Sequence, residues 1–263
     1  MPPAGAVALP WQAKQYCLSR VGAVVAACRD SPAEIRYNNR FKRGIPRGLS
    51  LSLGDGYTWV GPVTELLVKE EISLKLPFPE LTDDQFFDLC AAHSDHHIER
   101  TAQGKIIVMP GTGAKTGSRN AALIAQLYMW TIADRRGVAF DSSTLFRLPN
   151  SAMRSRDAAW VSRSRLAGLS SEQRVRFLPL CPDFLIELTS PSDRLPAVQT
   201  KMEEWMANGC QLGWLLHPGP NAVYIYRPGG EVEILDQPTH VSGDGPIPGF
   251  TLDLTAIWNP DWD

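Results

Sequence analysis

The run "CPDFLIELTSPSDR", Cys181 to Arg194, constrains the fold of this chain more than any other stretch. Phe184, Leu185, Ile186 and Leu188 make the core of a strand, yet two acids, Asp183 and Glu187, are threaded into it. Burying a carboxylate costs several kcal/mol unless something compensates the charge. A fold that takes in this strand must therefore also supply a partner for Glu187.

The rest of the chain shows what can surround that strand. "LTDDQFFDLCAAH" opens with Thr82 and has Gln85 three residues on, a capping-box start to a helix. "IERTAQGKIIVMP" reads as two short strands joined by a glycine turn. In "TGSRNAALIAQLYMWTIADRRG" Leu123, Ile124, Leu127, Trp130 and Thr131 recur at helical spacing, with Gly137 expected to close the helix. "VAFDSSTLFRLP" and "SRDAAWVS" read as strands, and "SRLAGLSSEQRVRFL" as a modest helix. "RLPAVQTKMEEWMANG" reads as a helix capped by Gly209, followed by the strands "LGWLLH" and "AVYIYRP" and a C-terminal hairpin region. Strands and helices in this order, with hairpins mixed in, imply an α/β domain with a mixed sheet.

Residues 1–70 have a different texture, broken by Gly, Pro and Asn at short intervals, and read as an irregular N-terminal extension before a domain over 71–263. The extension holds nine Lys/Arg against five Asp/Glu, whereas 71–263 hold 17 against 23. Five cysteines without a CxxC pair argue against a disulfide framework or zinc knuckle, and for reduced thiols. With no apolar run long enough to span a bilayer and no signal-peptide pattern at the start, the expectation is a cytoplasmic protein without a membrane partner.

Three acids intrude on apolar strands: Glu99 in "HIERT", Asp157 in "SRDAAWV" and Glu187 in "FLIELTS". Converging carboxylates repel one another unless a cation neutralises them. A hard divalent ion, most often Mg²⁺, is the natural resolution. Such an ion can polarise a phosphoryl oxygen and generate an attacking hydroxide. Lys201, with Glu204 and Trp205 three and four residues on, lies on the helix after the Glu187 strand and could bring an ammonium to the acids.

At these residues a family resemblance becomes specific. "LTDDQFFDLC", "IERTAQGKIIVMPGTGAKTGSRNAAL", "GVAFDSSTLFRLPN", "DAAWVS", "CPDFLIELTSPSD", "KMEEWMANG", "GWLLHP" and "PGFTLDL" resemble, in order, the Uma-two family of restriction endonuclease-like proteins, over about 70% of the chain. The resemblance implies the PD-(D/E)XK nuclease fold, a mixed β-sheet flanked by helices. It implies Asp157 and Glu187 as the motif acids and ligands of Mg²⁺ (or Mn²⁺), Glu99 as a supporting acid, and DNA as substrate. Thr189 occupies the usual lysine position of the E-x-K element, which makes Lys201 the candidate to orient the water. Arg156 stands where proline is expected, and His217 where an acid is commoner. Restriction-like nucleases often pair to cut two strands, so a homodimer is also an expectation.

Competing expectations attach to the same residues. The departures at Arg156 and Thr189 suit a module that keeps the nuclease fold and binds nucleic acid or protein without cleaving it. DNA binding draws on basic side chains, and Lys115, Arg119, Arg147, Arg154, Arg156 and Arg163 could form a patch within the net-negative domain. Asp183 reads as a strand-start residue, "SPSD" as a cap for the next helix, and "HSDHH" as exposed histidines. Trp130, Trp160, Trp205 and Trp214 read as core residues.

Overall fold

The computed structural model describes residues 81–109 and 111–260, together with the backbone of the strands Leu49–Leu53 (β1), Tyr57–Gly61 (β2) and Ile72–Leu74 (β3). β1 and β2 form an antiparallel pair within the expected extension, and the remainder of residues 1–70 lies outside the described residues.

A six-stranded sheet carries the candidate acids. Its order is β13–β12–β11–β10–β9–β6, from Glu233–Asp236, Ala222–Tyr226, Leu212–His217, Phe184–Leu188, Ala158–Ser162 and Gly137–Asp141. Only β10 and β11 run parallel; the other neighbours are antiparallel. A second sheet runs β3–β5–β4–β8–β7, where β4 is His97–Arg100, β5 Ile106–Met109, β7 Phe146–Arg147 and β8 Met153–Arg154. A short pair, β14 (His240–Ser242) and β15 (Thr251–Asp253), closes the C-terminal side.

The helices follow from the apolar stripes. α1 (Asp83–Ala92) begins with the reciprocal Thr82–Gln85 capping box and buries Phe86 and Leu89. α2 (Ala114–Asp134) buries Thr116, Leu123, Leu127 and Thr131 on one face. That face covers one side of the six-stranded sheet, where Trp160, Phe184, Ile186, Trp214 and Phe250 pack. The stretch after β9 forms two short helices, α3 (Arg163–Ala167) and α4 (Ser171–Arg174), because Gly168 and the Ser170 cap interrupt it. α5 (Leu195–Ala207) covers the opposite side of the sheet through Met202 and Trp205, against Leu185 and Leu215. α6 (Thr255–Trp258) packs under α2.

Several local expectations change. α2 ends at Arg135, in the left-handed region at φ 64°, and Gly137 instead opens β6. The indole of Trp160 lies where a Cβ at Gly137 would be, 2.1 Å from the nearest ring atom, so this glycine serves close packing. The cap of α5 is Asn208, with Gly209 just beyond it at φ 103°. Asp193 accepts the Ser190 N–H in a turn, but α5 is capped at Arg194 without a side-chain bond, so "SPSD" leads to the helix rather than capping it. Trp160, Trp205 and Trp214 are buried, and Trp130 packs partly buried in the cluster of Trp160 and Trp214. No helix among the described residues is long and apolar enough to cross a membrane.

Candidate active site

Strand parity brings the two motif acids together. β9 and β10 pair antiparallel with Ile186 opposite Ala158, so Asp157 and Glu187 lie one step beyond that pair on the same face. It is the face covered by α5, although the Asp157 carboxylate, at the end of the sheet, also reaches α2 through Asn120. Asp157 is half-buried and held at both oxygens: Leu188 N–H donates to Oδ2 at 2.7 Å and Asn120 Nδ2 to Oδ1 at 2.6 Å. Burial raises its pKa, against the pull of these two donors. Glu187, also half-buried, is pushed up to about 8 by burial and by the Asp157 charge, while Lys201 and Arg156 pull the other way. Ionised together, the two carboxylates would carry more negative charge than Lys201 and Arg156 neutralise.

Glu99 is different. It is buried in β4 and accepts from Arg154 Nη1 at 3.0 Å, Ser155 N–H at 3.0 Å and Ser155 Oγ at 3.1 Å, with Lys201 Nζ at 3.8 Å. Burial alone would raise its pKa, but Lys201, Arg154 and the Ser155 N–H bring it below the ordinary carboxylate value. The three acids therefore do not form one cage. Among the described residues no group of three or more His, Cys, Asp and Glu is disposed to hold a metal. Glu99 instead anchors a chain of ion pairs, since Arg154 also donates through Nε to Glu204 Oε2 at 2.7 Å. Lys201 projects from α5 between this chain and the acid pair, acting electrostatically on both Glu99 and Glu187.

Arg156 and Thr189, the two departures, both have structural roles. The Arg156 guanidinium is buried against the rings of Phe146 and Trp205, which meet edge to face, with its carbon 4.8 and 4.5 Å from the ring centroids. Its three nitrogens have no hydrogen-bond partner, and it interacts electrostatically with Glu187, Glu99 and Asp157. Thr189 has the strand parity of Glu187, and its hydroxyl meets His217 Nδ1 at 2.8 Å. Thr189 is thus a neutral side chain tied to the next strand, and the ammonium that acts on Glu187 is that of Lys201 on α5.

Of the six residues of the expected basic patch, five are buried or bonded elsewhere in the protein. Arg154 and Arg156 are buried, Arg119 donates to the carbonyls of Ile257 and Trp258, Arg147 pairs with Asp83, and Arg163 donates to the Arg135 carbonyl. Asp183 is a clamp between strands, accepting from Ser162 N–H and Arg165 Nη1. His96 and His97 are exposed and His93 half-buried.

Reading by strands missed Asn120, Ser155 and the Arg154–Glu204 pair. Asn120 had a signal: it lies four residues after Thr116 and three before Leu123 on the stripe that α2 buries. A polar residue placed there must meet a polar group. The Arg154–Glu204 pair joins residues fifty apart and had no local signal.

The sheet order, the flanking helices and the paired acids at one end of β9 and β10 define a restriction endonuclease-like α/β fold. The family model described as "Putative restriction endonuclease" (Uma2) matches residues 83–255, and the chain belongs to that family. The structure is similar to the crystal structure of a protein from Anabaena variabilis titled a putative nuclease, with a TM-score of 0.55 and 22% identity, covering 68% of this chain and 97% of that one. No curated protein matches the chain.

Proposed function

We propose that the protein is a Mg²⁺-dependent endonuclease that hydrolyses DNA phosphodiester bonds, with Asp157 and Glu187 as the metal ligands. The observation that carries this reading is the under-neutralised acid pair: two half-buried carboxylates on one sheet face, both with raised pKa. Mg²⁺ commonly uses one or two carboxylates and completes its shell with water and phosphate oxygens. Asp157 accepts only one hydrogen bond at each oxygen, which leaves lone pairs for such an ion. The ion would lower the pKa of a bound water and polarise the phosphoryl group.

The chain's own residues supply the rest. Asn120 and Leu188 N–H fix Asp157, so the ligand does not swing when charge arrives. Glu99, itself held by Arg154 and Ser155, pairs with the Lys201 ammonium at 3.8 Å and steadies it from behind. Its ammonium is placed to orient the nucleophilic water and to stabilise charge developing on the phosphoryl oxygens, an arrangement that needs no reorganisation during reaction.

The test pairs binding with turnover. Mg²⁺ or Mn²⁺ should raise the melting temperature of the native chain, because a ligand of the folded state alone stabilises it. Glu187→Gln should abolish that rise and cleavage of plasmid or oligonucleotide DNA. Lys201→Met should keep the rise while losing about a hundredfold or more in rate, the scale of a lost electrostatic contact in a preorganised site. A second reading, a nuclease-fold module that binds without cleaving, is favoured by the tied-up Thr189 and the buried Arg156. Absence of both metal-dependent stabilisation and cleavage in the native chain would select it.

A further inference from the structure

Hydrolysis at this site leaves one step without a residue. Attack on phosphorus needs a group that takes the proton of the water, and the Lys201 ammonium has donors but no lone pair to accept it. Asp157 and Glu187 are committed to the metal. A basic nitrogen stands on the same sheet face. β10 and β11 run parallel with Glu187 opposite Leu215, and the pairing continues to Thr189, whose N–H donates to the Leu216 carbonyl at 2.9 Å. Half-buried His217 therefore ends β11 on the face that carries Glu187 and Leu215, at the carboxyl ends of two parallel strands. Sheets of this class bind their ligands outside those ends. With strands about 4.8 Å apart and a rise of about 3.3 Å per residue, the Cα atoms of Glu187 and His217 stand about 8 Å apart, a span that a water and a phosphoryl group fill.

Thr189 sets the state of that nitrogen. Its Oγ lies 2.8 Å from His217 Nδ1 and donates to the Leu216 carbonyl at 3.4 Å. A hydroxyl has one proton, so both bonds are made together only when Nδ1–H donates to Oγ and Oγ–H to the carbonyl. Nε2 is then left with a bare lone pair. It makes no hydrogen bond among the described residues, and the ring edge that carries it faces Gly219, where even an added Cβ would stand 3.7 Å away. We propose that His217 is a catalytic residue of this hydrolysis, its Nε2 taking the proton of the attacking water, and that Thr189 positions it; the inference rests on the nuclease reading of the site. One O–H bond of the water breaks, its proton goes to Nε2 and its electron pair forms the new P–O bond. The P–O bond to the leaving oxygen breaks with its pair, that oxygen takes a proton from solvent, and the imidazolium returns its own proton to solvent. As charge arrives on the ring, Nδ1–H stays anchored to Thr189, the part an orienting group plays behind a histidine base.

Steady-state cleavage of an oligonucleotide by the full chain in Mg²⁺ tests the role. His217→Ala should lose about a hundredfold or more in kcat, the scale of a general base, with KM little changed. Added imidazole should restore part of that rate, and should do nothing for Lys201→Met. Thr189→Val should lower kcat by a smaller factor and Thr189→Ser should recover part of the loss. The Mg²⁺-dependent rise in melting temperature should persist in His217→Ala and Thr189→Val, and the same melts establish that each variant is folded. Native rates in His217→Ala would overturn the role, as would a loss that imidazole leaves unchanged or an equal rescue of Lys201→Met. A native chain that neither gains stability from Mg²⁺ nor cleaves overturns the nuclease reading and this role with it, whereas a native chain that does both beside an indifferent His217→Ala overturns the role alone.

Discussion

The carboxylate of Asp157 accepts the backbone N–H of Leu188 at 2.7 Å, which ties the head of β9 to the residue immediately after Glu187. One acid of the pair is thus part of the scaffold that positions the other. Asp157→Ala should therefore do more than remove a ligand. It leaves the Leu188 N–H and the Asn120 amide without their acceptor, at a cost of about 2 kcal/mol on the scale of unmade buried hydrogen bonds. Asp157→Asn should cost less, because the Asn120 Oδ1, which has no partner, can be turned to accept from the new amide. Urea unfolding of the two variants checks the order, and both should lose cleavage. Equal stability of Asp157→Ala and native protein would show that the tie contributes nothing.

Glu187 gives the metal-free protein a pH dependence of unusual sign. Its pKa stands at about 8 in the folded state against an ordinary 4.5. Between those values the folded state holds a proton that the unfolded chain has lost, so stability falls as pH rises from about 4.5 to 8 and levels off above. Glu187→Gln cannot ionise and should remove that fall, leaving the variant more stable than native protein at pH 8 by at least about 1 kcal/mol, the worth of roughly one pKa unit. Melting curves at pH 5, 6.5 and 8 in the presence of a chelator measure it. Parallel curves for the two proteins would sink the assignment of Glu187 as the strained acid.

Arg154 bridges Glu99 and Glu204 from a buried position, which links β4, β8 and α5 through charge. Truncating one partner of a buried pair leaves the other uncompensated, typically at about 3 kcal/mol or more. Arg154→Met should lose about that much near neutral pH, where Glu99 is ionised. The pKa of Glu99 is depressed, so its stabilising pairing is present above about 4.5 and lost as pH falls through the folded value. The deficit of the variant should shrink as pH falls through the folded value, where native Glu99 takes up its proton. Chemical denaturation at pH 7 and at steps downward through the acid range compares the two.

How much of this could be read in advance depends on the range of each interaction. The Thr82–Gln85 capping box, the apolar stripe of α2 and the β10 strand are local, and each folds as its spacing indicates. The intrusion of Glu187 into an apolar run pointed to a polar counterpart, and the structure sets Asp157 beside it. The end of α2 was misplaced because a glycine near a helix end has two uses, and the contact of Gly137 with Trp160 joins residues distant in sequence. Glu99 was grouped with the other acids because its partners, Arg154 and Ser155, lie fifty-five residues or so away. The basic patch failed for a related reason: a list of arginines does not reveal that two of them are buried and that others bind backbone carbonyls.

Arg156 offers the sharpest separation between packing and charge. Its guanidinium lies against the rings of both Phe146 and Trp205 with no hydrogen-bond partner, and it acts on Glu187, Glu99 and Asp157 through space. Methionine fills the same slot against the rings without a charge. At pH 6 Glu187 is largely protonated, which removes one of the three acids the buried cation acts on, so Arg156→Met should come close to native stability, as apolar replacements of buried charges often do. Removing the cation raises the pKa of Glu187 further, so the fall in stability with pH continues in the variant beyond the point, near 8, where it ends in the native chain. The variant should therefore drop below the native protein by pH 9. Urea midpoints for both proteins at pH 6 and pH 9 decide between the roles: a gap that changes with pH identifies Arg156 as the internal counter-ion of the acid pair, and a gap that does not would reduce it to a filler against two rings.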